Sequence, residues 1–409
     1  MKRLILKGSW FIFSSIFLCA LTVFVITFYT PLDDNEQFFS YLDFLENGFP
    51  GLIEKTEVIC YFKPIFDKTL DQRLSPECFG LDKRGYRNST ALQKADIVAI
   101  GDSQTFGYNA SINKTWPAQL ATLTGQSVYN MSVMAYGPVH YLVLMNEALK
   151  LSPKTIVVGI YMGNNMLSAF RLAYNNDLYK FLRKKEYMET GKDYFEDFSH
   201  RFNDVVKKRD NFFMFYEKTH VMEWLKRNLN PLKLFLTIDR FKGSAFDRGK
   251  NWAISDHNEG AFYESKTLRT VLQIKSRLMS MDTDNELVAR EGLRITKDAM
   301  KLMKEKAQKH SVKLIFLLIP TKELVYADLC KVDKRPDNDT YFRLVKMETT
   351  ITGDILAFCK QNGIQCVNSF TKLRESLSKG NKIYIESVDG HPSEEGYANV
   401  AETLLPYVR

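Results

Sequence analysis

Five short apolar runs, each ending in small or polar turn residues, set the tightest limit on what this chain can become. They are "DIVAI" (96–100), "SVYNMSV" (127–133), "KTIVVGIYM" (154–162), "VKLIFLLIP" (312–320) and "IQCVNSF" (364–370). All are short, and the third is rich in β-branched residues. The third and fourth are nearly continuous apolar stretches, as expected of strands covered on both faces. Helix-period segments lie between and after them. "WPAQLATLTG" (116–125) is closed by Gly125, and "YLVLMNEALKL" (141–151) has Pro153 just beyond it. In 286–310, Ile295, Ala299, Leu302 and Met303 share one face; 349–363 ends near Gly363, and 393–408 starts from Ser393 as N-cap. Strands alternating with helices predict an α/β fold: a three-layer, doubly wound, flavodoxin-like five-stranded parallel sheet. Such sheets carry their sites outside the carboxyl ends of the strands.

The alternation lapses from 166 to about 285, where aromatic and charged residues dominate. This segment reads as a helical insertion packing on its own domain, with amphipathic helices against a membrane surface as the alternative. A different pattern stands at the start. No charged residue occurs from Gly8 to Thr30, a run long enough to cross a bilayer as a helix. Lys2, Arg3 and Lys7 precede it and Asp33, Asp34 and Glu36 follow, so the positive-inside rule puts 1–7 in the cytoplasm and exports everything after 30. The run exceeds a signal-peptide core, no small-x-small site follows, and Leu18 before Cys19 is too bulky for a lipoprotein signal. The expectation is an uncleaved single-pass anchor at 8–30, a juxtamembrane lead-in at 31–92 without strong periodicity, and one domain at 93–409. The bacterial inner membrane, facing the periplasm or cell surface, is the expected place.

The formal charge is +8, and about +5 once the three bases ahead of the anchor are set aside. Bases are interspersed with acids, as in "KDYFEDFSHRFNDVVKKRD", which argues against a nucleic-acid stripe. An exported domain permits disulfides; Cys60 with Cys78 and Cys359 with Cys366 are the sequence-near pairings, five exported cysteines leave one over, and spacing does not fix the connectivity. No metal-ligand spacing occurs, and no cofactor is expected.

Chemistry-bearing residues gather at the ends of the predicted strands. Ser103 follows the first in "GDSQTFG", which lacks the second glycine of a G-x-S-x-G elbow. Alone it is an ordinary turn. A serine nucleophile needs a histidine base and an orienting carboxylate. His391 in "ESVDGHPSEEGY" has Asp389 two residues before it and a helix entrance after it, whereas His140 reads as local packing or capping. An acyl-transfer intermediate also needs oxyanion donors. Gly137, in "NMSVMAYGP", would let backbone approach a ligand with no Cβ in the way, and "YMGNN" offers the side-chain amide of Asn164. Lys322, in "IPTKE", lies on the same edge and reads as a surface ion pair, with an anion contact as the alternative; Trp116 reads as core.

Ser, Gly, Asn and Asp-x-His, in that order at successive strand ends, resemble the SGNH (GDSL-type) hydrolase superfamily. The resemblance covers 95–165 and 286–405, and the lead-in "LDKRGYRN" is similar to secreted members. It implies Ser103 as nucleophile, His391 as base, Asp389 as orienter, and Ser103, Gly137 and Asn164 as the oxyanion hole. Two positions depart from the family pattern. Asn165 stands where an aspartate is common, and Asp389 is one residue closer to the histidine than usual, leaving Glu386 or a Ser–His dyad as alternatives. The implied activity is ester hydrolysis through an acyl-enzyme, on an acylated glycan or lipid. O-acyl transfer to a cell-surface polysaccharide and an inactive assembly protein are the alternatives. Asn88, Asn109, Asn113 and Asn130 head N-x-S/T triplets crowding the catalytic segment, where glycans would obstruct the site; this favours a bacterial source.

Overall fold

In the computed structural model, residues 64–76, 81–205, 250, 253, 260–336 and 338–409 are described. The expected anchor at 8–30, Cys19, Cys60 and Cys78 lie outside them. No helix among the described residues is long and apolar enough to cross a membrane.

Among the described residues, nine strands follow in chain order: β1 (Pro64–Asp67), β2 (Asp71–Leu74), β3 (Ile97–Gly101), β4 (Val128–Ser132), β5 (Thr155–Tyr161), β6 (Gly260–Glu264), β7 (Arg269–Gln273), β8 (Lys313–Ile319) and β9 (Gln365–Asn368). The five apolar runs become β3, β4, β5, β8 and β9, each within a few residues of its expected bounds. They form one parallel sheet in the order β4-β3-β5-β8-β9, the doubly wound order expected. The register aligns Ala99 with Asn130 and Val157, and Val157 with Ile315. Side chains alternate between the faces of each strand. On one face Ile97, Ala99, Val157, Ile315 and Leu317 pack with Trp116, Leu120, Val400 and Leu404, which come from the helices Trp116–Thr124 and Glu394–Val408. Trp116 is core, as expected. The helices Pro138–Leu149, Asn165–Asn175 and Leu287–Lys309 pack together through Val139, Ala169, Phe170, Val288 and Ile295.

Three expectations need correction. The insertion is not purely helical: β6 and β7 form an antiparallel hairpin inside it. Its five-residue strands are joined by Ser265–Leu268, which lacks the glycine that usually marks a hairpin. The helix Asn165–Asn175, assigned to the insertion from sequence, belongs to the sheet's own helical layer. The helix read at 349–363 runs from Asp339 to Gln361, because Asn338 caps it by accepting from Tyr341 N at 3.0 Å. In the lead-in, β1 and β2 pair antiparallel, and the described residues belong to one compact unit. Cys359 and Cys366 form a disulfide joining the end of a helix to β9, while Cys330 is a buried free thiol.

Candidate active site

β3 delivers Gly101, Asp102 and Ser103 to the carboxyl edge of the sheet, and a one-turn helix begins at Ser103. The turn is built for close packing. A Cβ on Gly101 would lie 2.0 Å from Thr105 Oγ1, so only glycine fits. Asp102 caps the helix by accepting from Gln104 N at 3.0 Å, and Gly107 closes it with a left-handed φ of 84°. Asp102 is fully buried, and burial pushes its carboxyl up to about 6. Arg87, buried in the lead-in, donates to the carbonyls of Phe106 (3.0 Å), Gly107 (2.6 Å) and Ala110 (2.6 Å). Asn88 pairs with the backbone of Asn130, whose side chain donates to Thr105 O at 3.0 Å. The lead-in therefore braces the turn from below.

The facing residues come from the loop after the last strand. His391 Nε2 lies 2.8 Å from Ser103 Oγ, and its Nδ1 lies 2.7 Å from Asp389 Oδ1. The same Asp389 oxygen accepts from His391 N at 2.7 Å, so the two-residue spacing folds the carboxylate back onto its own histidine. Burial works against the Asp389 charge, but His391 and Lys322 outweigh it and hold the carboxyl down at about 2. Glu386, the alternative orienter, is engaged elsewhere: it accepts from Arg269 at 2.5 Å and Lys382 at 2.7 Å. The ring of Tyr108 lies 4.8 Å from the His391 ring, covering one side of it.

Asn164 sits at the start of the helix after β5, three residues past the strand end. Its Oδ1 accepts from Asn165 Nδ2 at 3.1 Å. The Gly137 N–H points to His140 Nδ1 at 3.2 Å, and a Cβ at Gly137 would lie 2.6 Å from Ser168 Cβ. That glycine is required by the helix packed on it. His140 is fully buried, stacked 4.3 Å from Tyr136, and burial pulls its pKa well down, so a neutral ring accepts from Gly137. This fits the capping role read from sequence.

Asn165 explains its own departure from aspartate. Its Nδ2 donates to Asp102 Oδ2 at 2.9 Å, while its Oδ1 accepts from Tyr161 N at 3.0 Å and Tyr141 Oη at 3.1 Å. An aspartate would set a second negative charge against Asp102. Lys322 is not on the surface. It is fully buried, and its Nζ donates to Ser387 O and Asp389 O, both at 2.7 Å. Among the described residues, no three His, Cys, Asp or Glu side chains gather as metal ligands would.

No protein-family model and no curated protein matches this chain. Among solved structures it is similar to a GDSL-like lipase from Bacteroides thetaiotaomicron, at 12% identity over 76% of this chain and 86% of that one, with a TM-score of 0.33. A member of the lipolytic protein G-D-S-L family from Veillonella parvula matches at 10% identity, covering 76% of this chain and 96% of that one, with a TM-score of 0.32. A catalytic mutant of an acetylxylan esterase from Geobacillus stearothermophilus matches at 11% identity, 78% and 95% coverage, and a TM-score of 0.34.

Proposed function

We propose that this chain is a serine esterase that cleaves carboxylic esters through an acyl-enzyme. The observation that carries the reading is the unbroken line Ser103 Oγ, His391 and Asp389, with contacts of 2.8 Å and 2.7 Å. Asp389, charged at neutral pH, fixes the ring with its proton on Nδ1, which leaves Nε2 as the base toward Ser103. Ser103 Oγ attacks the ester carbon while its proton passes to His391 Nε2. The carbon–oxygen bond to the alcohol breaks and the leaving oxygen takes that proton. Water, deprotonated by His391, then attacks the acyl-enzyme; the acid is released and Ser103 regains its proton.

The Ser103 N–H and the Asn164 amide nitrogen make no hydrogen bond among the described residues and are the first donors to the oxyanion. The Gly137 N–H joins them on leaving His140 Nδ1. The substrate is an acyl ester, of which an acylated glycan or lipid at the cell envelope is the class in view. Placement of the domain outside the cytoplasm, behind an anchor at 8–30, is part of the same reading. Its support is the charge asymmetry around that run and the Cys359–Cys366 disulfide, a bond of oxidising compartments.

Turnover of p-nitrophenyl acetate through octanoate by the full-length chain tests the reading. Hydrolysis above background in wild type, absent in Ser103→Ala, is expected. Equal rates in the two would refute it.

A further inference from the structure

Lys322 is a buried charge that takes no part in the proposed chemical steps. It lies three residues beyond the end of β8, its side chain wholly out of solvent, and makes no ion pair with a carboxylate among the described residues. Burying an ammonium is costly unless its donors are satisfied. Here they go to two backbone carbonyls of one loop, Ser387 O and Asp389 O, each at 2.7 Å. The carbonyl between them, Val388 O, accepts from Gln273 Nε2 of the inserted hairpin at 2.9 Å. Val271 N, also of the hairpin, reaches Ser387 O at 3.4 Å. Three consecutive carbonyls are thus gripped immediately before Gly390 and His391. The hairpin and the lysine approach the loop from different parts of the chain and meet on the same three residues.

We propose that Lys322 is a positioning residue for the Asp389–His391 pair, clamping the loop that carries it so that the His391 ring stands between Asp389 and Ser103, with Gln273 holding the carbonyl in between. The proposal rests on the reading of Ser103 as nucleophile. Misplacing a catalytic group by about 1 Å costs on the order of a hundredfold in rate, and two short contacts to one imidazole leave little latitude. The clamp also carries a pH dependence. Burial pulls the Lys322 ammonium down to about 8. The charged groups facing it are Glu323 beside it and Asp389 on the loop, which favour its charge, and Arg277 from the helix Lys275–Met281, which opposes it. Glu348, from the helix Asp339–Gln361, bonds the neighbouring Thr321 N at 2.8 Å. As pH rises through about 8 the clamp loses its charge-assisted hydrogen bonds.

The test uses the full-length chain, with p-nitrophenyl acetate kinetics at pH 7 and fluorophosphonate inactivation rates from pH 6 to 9.5. Lys322→Met should lower kcat by about thirty- to a hundredfold while KM moves by less than about threefold, since the loop shifts and the acyl site does not. Gln273→Leu should act in the same direction by about threefold to tenfold. Wild-type inactivation should slow above about pH 8, and Lys322→Arg, whose guanidinium stays charged, should restore part of the rate and remove that decline. A folded Lys322→Met with wild-type kcat overturns the proposal, as does an alkaline limb identical in wild type and Lys322→Arg. If Lys322→Met does not fold, Gln273→Leu and the wild-type profile decide: a full-rate Gln273→Leu together with a flat profile overturns it. Failure of wild type to react at all sinks the nucleophile reading and this one with it. Reaction of wild type and Lys322→Met at equal rates sinks only the clamp.

Discussion

The site is assembled from two loops held in opposite ways. The Ser103 turn is rigid through what lies beside it: β3 ends on it, Asp102 caps it, and Arg87, Asn130 and Asn165 fasten its backbone and cap from buried or half-buried positions. The Asp389–His391 loop is partly exposed and has no strand of its own. It is held by Lys322 and by the hairpin β6–β7, far away in the chain. The two aspartates show the same contrast. Asp102 is sealed from water and pushed up to about 6; Asp389 carries a partner histidine and is held down at about 2. One carboxyl is a structural cap and the other an electrostatic one, and their environments decide which is which.

Breaking the exposed loop chemically should have the largest effect. His391→Ala should lower kcat for an aryl ester by about 10³ to 10⁴-fold, and Asp389→Asn by about 10²- to 10⁴-fold with the fold intact, because the ring loses its fixed tautomer. Steady-state kinetics beside circular dichroism check both. Breaking the buried turn should appear first as lost stability. Asn165→Asp replaces the donor to Asp102 with a second acid and should cost about 1–3 kcal/mol at pH 8, less at pH 5 where the pair shares a proton. Urea melts at the two pH values measure this.

The sharpest comparison lies in the pH dependence of the two aspartates. Because the folded Asp102 pKa of about 6 lies above its ordinary 3.8, the native state holds this proton more tightly, and stability falls as pH rises from about 4 to 6, by on the order of 3 kcal/mol. Asp102→Asn, which keeps the cap, should therefore gain on wild type across that window. Asp389 has the opposite sign. Its folded pKa is depressed, so its contribution is present above about pH 4 and lost as pH falls toward 2. The Asp389→Asn deficit should shrink over that lower window. Identical pH slopes for the two variants would erase the distinction between the loops.

What sequence could reveal follows the same division. β3, β5 and β8 were legible because burial on both faces leaves nearly continuous apolar runs. As candidates, Ser103, Asn164 and the Asp389–His391 pair stand out in sequence because each sits at or soon after an element end inside a short local motif. Lys322, Gln273 and Arg87 act on carbonyls, which accept from any donor and leave no pattern in the residues that supply them. Lys322 reaches its carbonyls across 65 and 67 positions, a pairing no window along the chain displays. Gly137 shows the converse. A glycine at a strand end suggested room for a ligand, whereas its missing Cβ admits Ser168 of a packed helix. Asn165 reads in sequence as a missing carboxylate, and the buried Asp102 that it donates to gives the reason.

The most direct measurement of the central claim is the intact mass of the full-length chain after reaction with a fluorophosphonate, beside Ser103→Ala and His391→Ala. A single adduct on wild type, mapped to Ser103, absent from Ser103→Ala and strongly slowed in His391→Ala, is the predicted result. Equal labelling of wild type and Ser103→Ala, or an unlabelled wild type that also leaves short-chain aryl esters intact, would contradict it.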